Sequence, residues 1–403
     1  MRILFLTSRL PFPPNRGDRL RTYHLLRNLG REHEVTLVSF VNSSEEAQMA
    51  EELVPYCKEM HLMIRPTARS VITAIGNAWR RQPLQALYYR SRKMQQLVDR
   101  VLASEKYEVA YVHLFRMAPY VFDHPELYRI VDLTDVISLE IAASLPYRSW
   151  ASRVLYRYEQ LRIKDYECRV AAWTEEAWLI SERDKVKLAE PCPKANLQVV
   201  PNGVDLDHYY PAAQMAVGRN LLFVGNLAVF HNIAAIMFLV KQILPIVRQE
   251  IPDCMLTIIG AGMSRQIEDL EHYPGVKVLG FVPDLNRALN EAAVFVAPLR
   301  FSAGIQNKVL EAMAASVAVV TTSNVNAGLA AIPGQEIVVG DNAHDLAVGV
   351  VRLLSDEPYR LRLGQAGRSF VAQRFSWQTA VERMRKIEQE PLWKSDNGIQ
   401  KAV

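Results

Sequence analysis

Asn307, Lys308 and Glu311 lie three and four residues apart in Gly304-Ile305-Gln306-Asn307-Lys308-Val309-Leu310-Glu311-Ala312-Met313-Ala314, so in a helix they share one face. Val309, Leu310 and Met313 predict that helix, with Gly304 opening it. Ahead of it, Ala292 to Pro298 reads as a buried parallel strand and Leu299 to Ala303 as a loop. A helix N-terminus just past a strand's carboxyl end presents orphan N–H groups and a positive dipole end, which is where α/β proteins hold phosphates. A lysine in the first turn opposes that dipole, and an anion in front of it would remove the conflict. A carboxylate one turn deeper suits a neutral polyol such as a ribose. A core helix with a solvated polar edge would show the same spacing.

Other residues compete for chemical roles. Gly260-Ala261-Gly262 follows a predicted strand but is only half a dinucleotide fingerprint, because Arg265 stands where the third glycine belongs. Gly260 therefore reads as a place where backbone approaches a ligand or a neighbouring strand, and Gly225-Asn226 has the same two readings. His113 ends a strand in the first half, at the edge where ligands bind. Asp132 and Asp135 end the next strand, and one of them is expected to cap a helix. Residues 65–93 hold Arg65, Arg69, Arg80, Arg81, Arg90, Arg92 and Lys93 with no acidic residue, interleaved with Trp79, Tyr88 and Tyr89. Such a stretch suits an anionic lipid surface or a lipid-phosphate acceptor as well as plain solvent. No nucleic-acid motif accompanies it, so no nucleic-acid partner is expected. P-loop, Gly-x-Ser-x-Gly and His-Glu-x-x-His motifs are absent.

These residues need elements to hold them. Arg2 to Ser8 is a near-continuous apolar run, followed by a loop, Arg9 to Arg21, a helix, Leu20 to Leu29, and a strand, Glu34 to Phe40. That βαβ order predicts a right-handed, doubly wound sheet with its ligand edge at Gly17. Further strands are expected at Lys58–Ile64, Val109–His113, Tyr128–Leu133, Ala171–Thr174 and Leu197–Val200. The alternation restarts with Leu221–Gly225, Met255–Gly260, Lys277–Leu279, Val294–Ala297, Val317–Thr321 and Glu336–Val339. The expected division is an α/β domain over 1–205 and a second over 206–374. A tail helix over 375–390 would return to the first, and 391–403 would be disordered.

With 403 residues the chain is too long for one ordinary core, and its 50% hydrophobic and 22% charged residues fit a soluble globular protein. The basic excess belongs to residues 1–200, at +5, against −1 for the remainder. Cys57, Cys168, Cys192 and Cys254 are widely spaced without Cys-x-x-Cys, which predicts four reduced thiols and no zinc site. The apolar run Ile3 to Leu6 is too short for a secretory leader, and Asn220 to Val240 is broken by Asn226, His231 and Asn232. A cytoplasmic location is expected.

In order, these pieces resemble a GT-B glycosyltransferase of family 4, closest to bacterial sugar transferases of exopolysaccharide and exosortase loci. The resemblance rests on Pro13 to Arg21, Val200-Pro-Asn-Gly-Val-Asp205, Ala297 to Ala314 and Arg374-Phe375-Ser376-Trp377. It implies two doubly wound Rossmann-like domains facing across a cleft, the second binding a nucleoside-diphosphate sugar and the first an acceptor. Glu311 matches the second glutamate of the family's Glu-x7-Glu motif, which holds the ribose; Gly17 matches its glycine loop and His113 its active-site histidine. Asp284 lies near where the family seats the base.

With Asp284 and Glu311 from the resemblance, the expected donor-binding set is Gly225, Asn226, Gly260, Asp284, Arg300, Gly304, Asn307, Lys308 and Glu311. Asp18 and Arg19 after the first strand and Arg80 and Arg81 in the basic stretch are the expected contacts to a glycan or lipid-linked acceptor. The sequence departs from the family at Ala303, in place of the first glutamate, and at His231-Asn232, where an Arg/Lys pair is usual. Lys308, with Arg300, is expected to neutralise the diphosphate instead. The implied activity is a retaining, metal-independent transfer with no cofactor beyond the donor, at the inner face of the plasma membrane. A sugar-nucleotide epimerase and a non-catalytic nucleotide-sugar-binding subunit are the alternatives.

Overall fold

The computed structural model describes residues 1–14, 17–65, 67–212, 218–301 and 304–389. Ala303 and the expected tail at 391–403 lie outside those residues. The chain divides into Met1–Pro201 together with the segment from Trp377, and Asn202–Ser376. The division departs from the expected ends at 205 and 374 because of hydrogen bonding. Asn202 Nδ2 donates to Asn307 Oδ1 (2.9 Å) and the Val204 N–H to the Phe375 carbonyl (3.1 Å), which places 202–205 and 375 in the second unit.

The first unit holds seven parallel strands in the order β3-β2-β1-β4-β5-β6-β7. They are β1 Arg2–Thr7, β2 Glu34–Val41, β3 Glu59–Ile64, β4 Val109–His113, β5 Tyr128–Thr134, β6 Glu176–Leu179 and β7 Leu197–Val199. Their side chains alternate between two cores. Leu4, Leu6, Val38, Ala110, Val112 and Val131 pack on one face, and Ile3, Phe5, Leu37, Val109, Tyr111 and Ile130 on the other. Burial on both faces is why these strands read as unbroken apolar runs.

The helix Gln378–Gln389 covers the second of those faces through Ala380, Val381, Met384 and Ile387. Trp377 ahead of it stacks on His24 at 4.6 Å, and Arg383 pairs with the fully buried Glu176. A buried carboxylate in a strand is tolerated only with such partners; Trp178 Nε1 (2.8 Å) and Tyr128 Oη (3.1 Å) supply the others.

In the second unit six parallel strands run in the order β10-β9-β8-β11-β12-β13. They are β8 Asn220–Val224, β9 Met255–Ile259, β10 Val276–Leu279, β11 Val294–Ala297, β12 Ala318–Thr321 and β13 Val338–Val339. In both sheets the chain winds outward, then returns to the other side of its first strand. The reversal leaves a switch point at the carboxyl ends of β1 and β4, and of β8 and β11.

Four expectations need correction. Ala171–Thr174 is not a strand: Ala171 lies in the helix Trp150–Trp173, and the strand is Glu176–Leu179. A short apolar run carries no period that separates the two, and buried Glu176 disguised the strand. The helix expected from Gly304 begins at Asn307, because Gly304 takes a left-handed φ of 56° and Gln306 is the extended N-cap. Gly17, Asp18 and Arg19 are in the first turn of the helix Gly17–Leu29, not in a loop.

Finally, Cys168 and Cys192 form a disulfide with Cα atoms 5.1 Å apart, leaving Cys57 and Cys254 free. Tertiary packing of the Trp150–Trp173 helix against the segment after Glu182–Ala189 brings them together, which a spacing of 24 residues does not disclose. Phe230–Glu250 is apolar and long enough, by length and composition, to cross a membrane. Half of that window is buried here, where Ala235, Ile236, Leu239, Val240, Ile243 and Val247 pack inside the second unit.

Candidate functional site

At the carboxyl end of β8, one strand of the β8/β11 switch point, glycine backbone lets the ends of β8 and β9 meet. A Cβ on Gly260 would stand 1.7 Å from the Gly225 carbonyl oxygen, so no side chain fits there. One on Gly225 would stand 3.1 Å from Lys308 Nζ and 3.0 Å from Asn232 Cγ. Lys308 reaches this point from the second position of the Asn307–Ala314 helix. Its ammonium hydrogen-bonds Asn232 Oδ1 and lies 5.0 Å from the centre of the Phe223 ring. Asn232 is fixed in turn by donating from Nδ2 to the Asn226 carbonyl (2.9 Å). The Lys308 ammonium thus lies over bare glycine backbone, at the end of its helix where the first-turn N–H groups lack i−4 partners.

Glu311 lies one turn deeper and hydrogen-bonds Tyr209. Burial drives lysine and glutamate towards their neutral forms. The ammonium is pushed down to about 7 and the carboxyl up to about 7, each charge partly sustained by the other. Burial, reinforced by Glu311, also raises the Tyr209 phenol.

The remaining donor-side candidates fall around this core. Gly304 packs its carbonyl where a Cβ on Gly328 would stand 2.3 Å away, which fixes the turn into the helix. Asn226 Oδ1 accepts from the Ala228 N–H (3.0 Å) and shapes the turn after β8. Asp284 is exposed and caps the helix Leu285–Asn290 through the Arg287 N–H (2.9 Å). Arg300 is exposed, its guanidinium 4.6 Å from the centre of the Phe238 ring.

In the first unit, the β1/β4 switch point gathers Gly17, Asp18 and His113. Asp18 Oδ2 accepts from Arg9 Nη1 (2.6 Å), and Arg19 pairs with Glu46. His113 is buried, its Nε2 3.4 Å from Thr134 Oγ1. Burial pushes its imidazole down to about 4 against the opposing pull of Asp132 and Asp18, so it is neutral near pH 7. Leu114 and Thr134, just past β4 and ending β5, adopt φ of 70° and 63°. For a β-branched threonine that backbone is strained by ~1–3 kcal/mol, and the Asp132 carboxylate holds it by accepting the Thr134 N–H (2.9 Å).

Neither Asp132 nor Asp135 caps the next helix, Ile137–Ser144. Glu167 does so, accepting from the Ile137 N–H (2.9 Å) and Ser138 Oγ (2.6 Å). Asp132 instead forms a fully buried ion pair with Arg21 (2.6 Å) and accepts from Tyr111 Oη. Arg80 and Arg81 are exposed after the helix Thr67–Gly76, and the Arg80 guanidinium lies 5.3 Å from the centre of the Trp79 ring.

Sequence reasoning assigned no role to Asn232, Asn202, Tyr209 or Phe223. Asn202 could have been found, because its Val-Pro-Asn-Gly-Val-Asp turn was already conspicuous. Asn232 and Tyr209 act across about 76 and 102 residues of chain, where no local signal exists.

Residues 218–356 match the family of glycosyl transferases group 1. An uncharacterised 44.6 kDa protein of the Klebsiella pneumoniae cps region is 24% identical, over 85% of this chain and 88% of its own length. A phosphatidyl-myo-inositol mannosyltransferase of Mycobacterium tuberculosis is 29% identical over 47% of this chain, which spans about half (52%) of that relative. Among solved structures, Anabaena HepE in complex with UDP-glucose superposes with a TM-score of 0.68 at 13% identity, over 96% of this chain and 99% of that one. The matched domain contains the Gly225, Asn232, Lys308 and Glu311 cluster. The second unit thus carries a glycosyl transferases group 1 domain, and the chain has the two-domain α/β fold of GT-B glycosyltransferases.

Proposed function

We propose that the chain transfers a sugar from a nucleoside diphosphate to a glycan or lipid-linked acceptor in polysaccharide or glycolipid biosynthesis, with retention at the anomeric carbon. The observation that carries this reading is Lys308, held by Asn232 over the side-chain-free Gly225 beside the N-terminus of the Asn307–Ala314 helix. Lys308 and the helix N–H groups face the diphosphate and stabilise its charge as the bond to the sugar breaks, with no metal ion required. Glu311 receives the ribose hydroxyls, and Asp284 lies by the base. The acceptor oxygen bonds to the anomeric carbon from the face the diphosphate leaves. The bonding pair departs with the diphosphate, and one of its oxygens takes the acceptor proton. His113, neutral and buried, orients the sugar or acceptor. Support for the donor class comes from HepE, whose structure holds UDP-glucose.

Peripheral contact with the inner face of the plasma membrane belongs to the same proposal. Support comes from an exposed surface that joins two segments of the first unit. Ile72, Ile75 and Trp79 (78% exposed) belong to the first. Trp150 (81% exposed), Val154, Tyr158 and Leu161 form a stripe on the Trp150–Trp173 helix. Arg162 donating to the Ala78 carbonyl (2.7 Å) fastens the two together. Arg80, Arg81, Arg153 and Arg157 flank the apolar groups, the arrangement of an interfacial surface for anionic lipid.

A thermal-shift panel of nucleoside diphosphates and their sugars tests the donor reading. A ligand at 100-fold over its dissociation constant should add about 2.7 kcal/mol of stability. Release of nucleoside diphosphate by the purified chain then separates a transferase from a binding subunit. No shift with any member of the panel would sink the reading.

A further inference from the structure

The first sheet carries a second constellation, which neither the donor chemistry nor His113 uses. Strands β3, β2, β1 and β4 are neighbours and end at one edge. Arg65 directly follows β3, Arg9 lies just past β1 and Arg116 just past β4, and all three converge on Tyr89. The Arg65 guanidinium lies 4.8 Å from the centre of that ring and 4.4 Å from Tyr88, and the Arg116 guanidinium also lies 4.8 Å from the Tyr89 ring. Arg9 interacts with the Tyr89 hydroxyl and with Asp18.

Three guanidiniums around one phenol repel one another: burial, reinforced by the charges of Arg9 and Arg65 and opposed by Tyr89 and Asp18, pulls Arg116 below its ordinary value. Asp18 offsets Arg9, but the neutral hydrogen-bond partners of Arg116 and Arg65 do not cancel their charges. Arg116 donates to Ser8 Oγ (3.2 Å) and Gln85 Oε1 (3.1 Å), and Arg65 Nη2 to Asn42 Oδ1 (2.8 Å). Arg65 is 8% exposed, yet its Nε and Nη1 are buried without a hydrogen-bond partner. Unsatisfied donors on a buried cation are costly, and an oxyanion matching the guanidinium fork satisfies donors and charge together. The Arg9 side chain keeps 29% of its surface exposed, so the cluster opens to solvent at the switch point of its sheet.

We infer that Arg65, Arg116 and Arg9 form an anion site at the carboxyl edge of the first sheet, which holds a phosphoryl or diphosphoryl group on the acceptor. This rests on the transferase reading for the word acceptor, while the anion site itself stands on the first unit's geometry. It places the acceptor in a phosphorylated class, either a lipid-linked diphosphate or a soluble phosphorylated glycan.

The test uses the full chain saturated with UDP, so that the donor edge is filled, and titrates inorganic pyrophosphate by calorimetry and thermal shift. Pyrophosphate should bind, with affinity at least ~10-fold weaker in Arg65→Gln and in Arg116→Gln, since a charge-assisted hydrogen bond is lost in each. Arg9→Gln, at a partly exposed position where folding is not at stake, should weaken it too. A merely structural cluster behaves differently: Arg65→Gln would lower the melting temperature of the anion-free protein and leave the pyrophosphate response intact. The site predicts the reverse, an unchanged or raised melting temperature with the response lost.

Phosphatidylcholine vesicles doped with an isoprenoid diphosphate distinguish the sources. Arg65-dependent co-sedimentation assigns a lipid head group, and binding of free pyrophosphate alone assigns a soluble one. Failure of wild-type protein to bind either, or wild-type affinity in both Arg65→Gln and Arg9→Gln, overturns the site. The UDP titration reports separately on the donor reading, so its failure would be seen apart from this one.

Discussion

The two sheets share a winding order but place opposite chemistry at their switch points. The second unit puts one lysine, one glutamate, asparagines and bare glycine backbone at its edge. The first puts arginines there, over a buried Arg21–Asp132 pair and a neutral histidine. Topology therefore decides where a ligand edge lies, and the residues just past the strands decide what it recognises. An edge built on glycine and one adjustable cation can admit backbone contact with a substrate whose charge changes during reaction. An arginine edge holds fixed charge for an anion that persists.

The largest expected effect separates the scaffolding of the two edges. Asp132→Ala leaves Arg21 buried and uncompensated and should cost ~3–5 kcal/mol in denaturant unfolding. Asn232→Ala in the second unit, which removes a neutral partner of Lys308 and a hydrogen bond to the Asn226 carbonyl, should cost less, because no buried charge loses its counter-ion. Equal losses would erase the contrast.

Next in size, Lys308→Ala and Glu311→Ala should each lower turnover by ~10²-fold or more, measured as kcat/KM. Wild-type turnover in both would remove the chemical role from the second edge.

The buried histidine gives the first edge a pH signature. With its folded value near 4 and an ordinary value of 6.5, the unfolded chain binds more protons in between, so stability falls as pH drops from about 6.5 to about 4. The loss should reach ~3 kcal/mol, and His113→Gln should remove that part of the pH dependence. An unaltered acid limb in the variant would refute the assignment.

The smallest effect sharpens the second edge. An empty Lys308 near 7 must take up a proton when a diphosphate binds above that pH. UDP affinity should therefore weaken as pH rises from 7 to 9, by at most ~10-fold per unit, in calorimetric titrations. Lys308→Arg, charged throughout, should flatten the curve.

Much of the frame was legible in the chain itself. Val109–His113 and Val294–Ala297 fall where their apolar runs end, because strands covered on both faces admit little else. That Lys308 and Glu311 stand one turn apart on one helix was legible, because the helix supplies its own spacing. Ala171–Thr174 failed as a strand because so short a run fits either period, and the buried Glu176 gained its partner Arg383 from 207 residues away. The Cys168–Cys192 bond and Asn232's grip on Lys308 escaped for the same reason, being contacts between segments with no local signature.

The sequence by itself determined the alternation of strand and helix, the two parallel sheets and the residues that close each strand, because these follow from periodicity and local backbone preference. Only the tertiary structure decided which of those residues share an environment. Arg9, Arg65 and Arg116 become one cluster when β3, β2, β1 and β4 align their ends. Lys308 and His113 acquire their shifted protonation only through burial by distant segments. Charge and solvation are properties of surroundings, and the surroundings are assembled by folding.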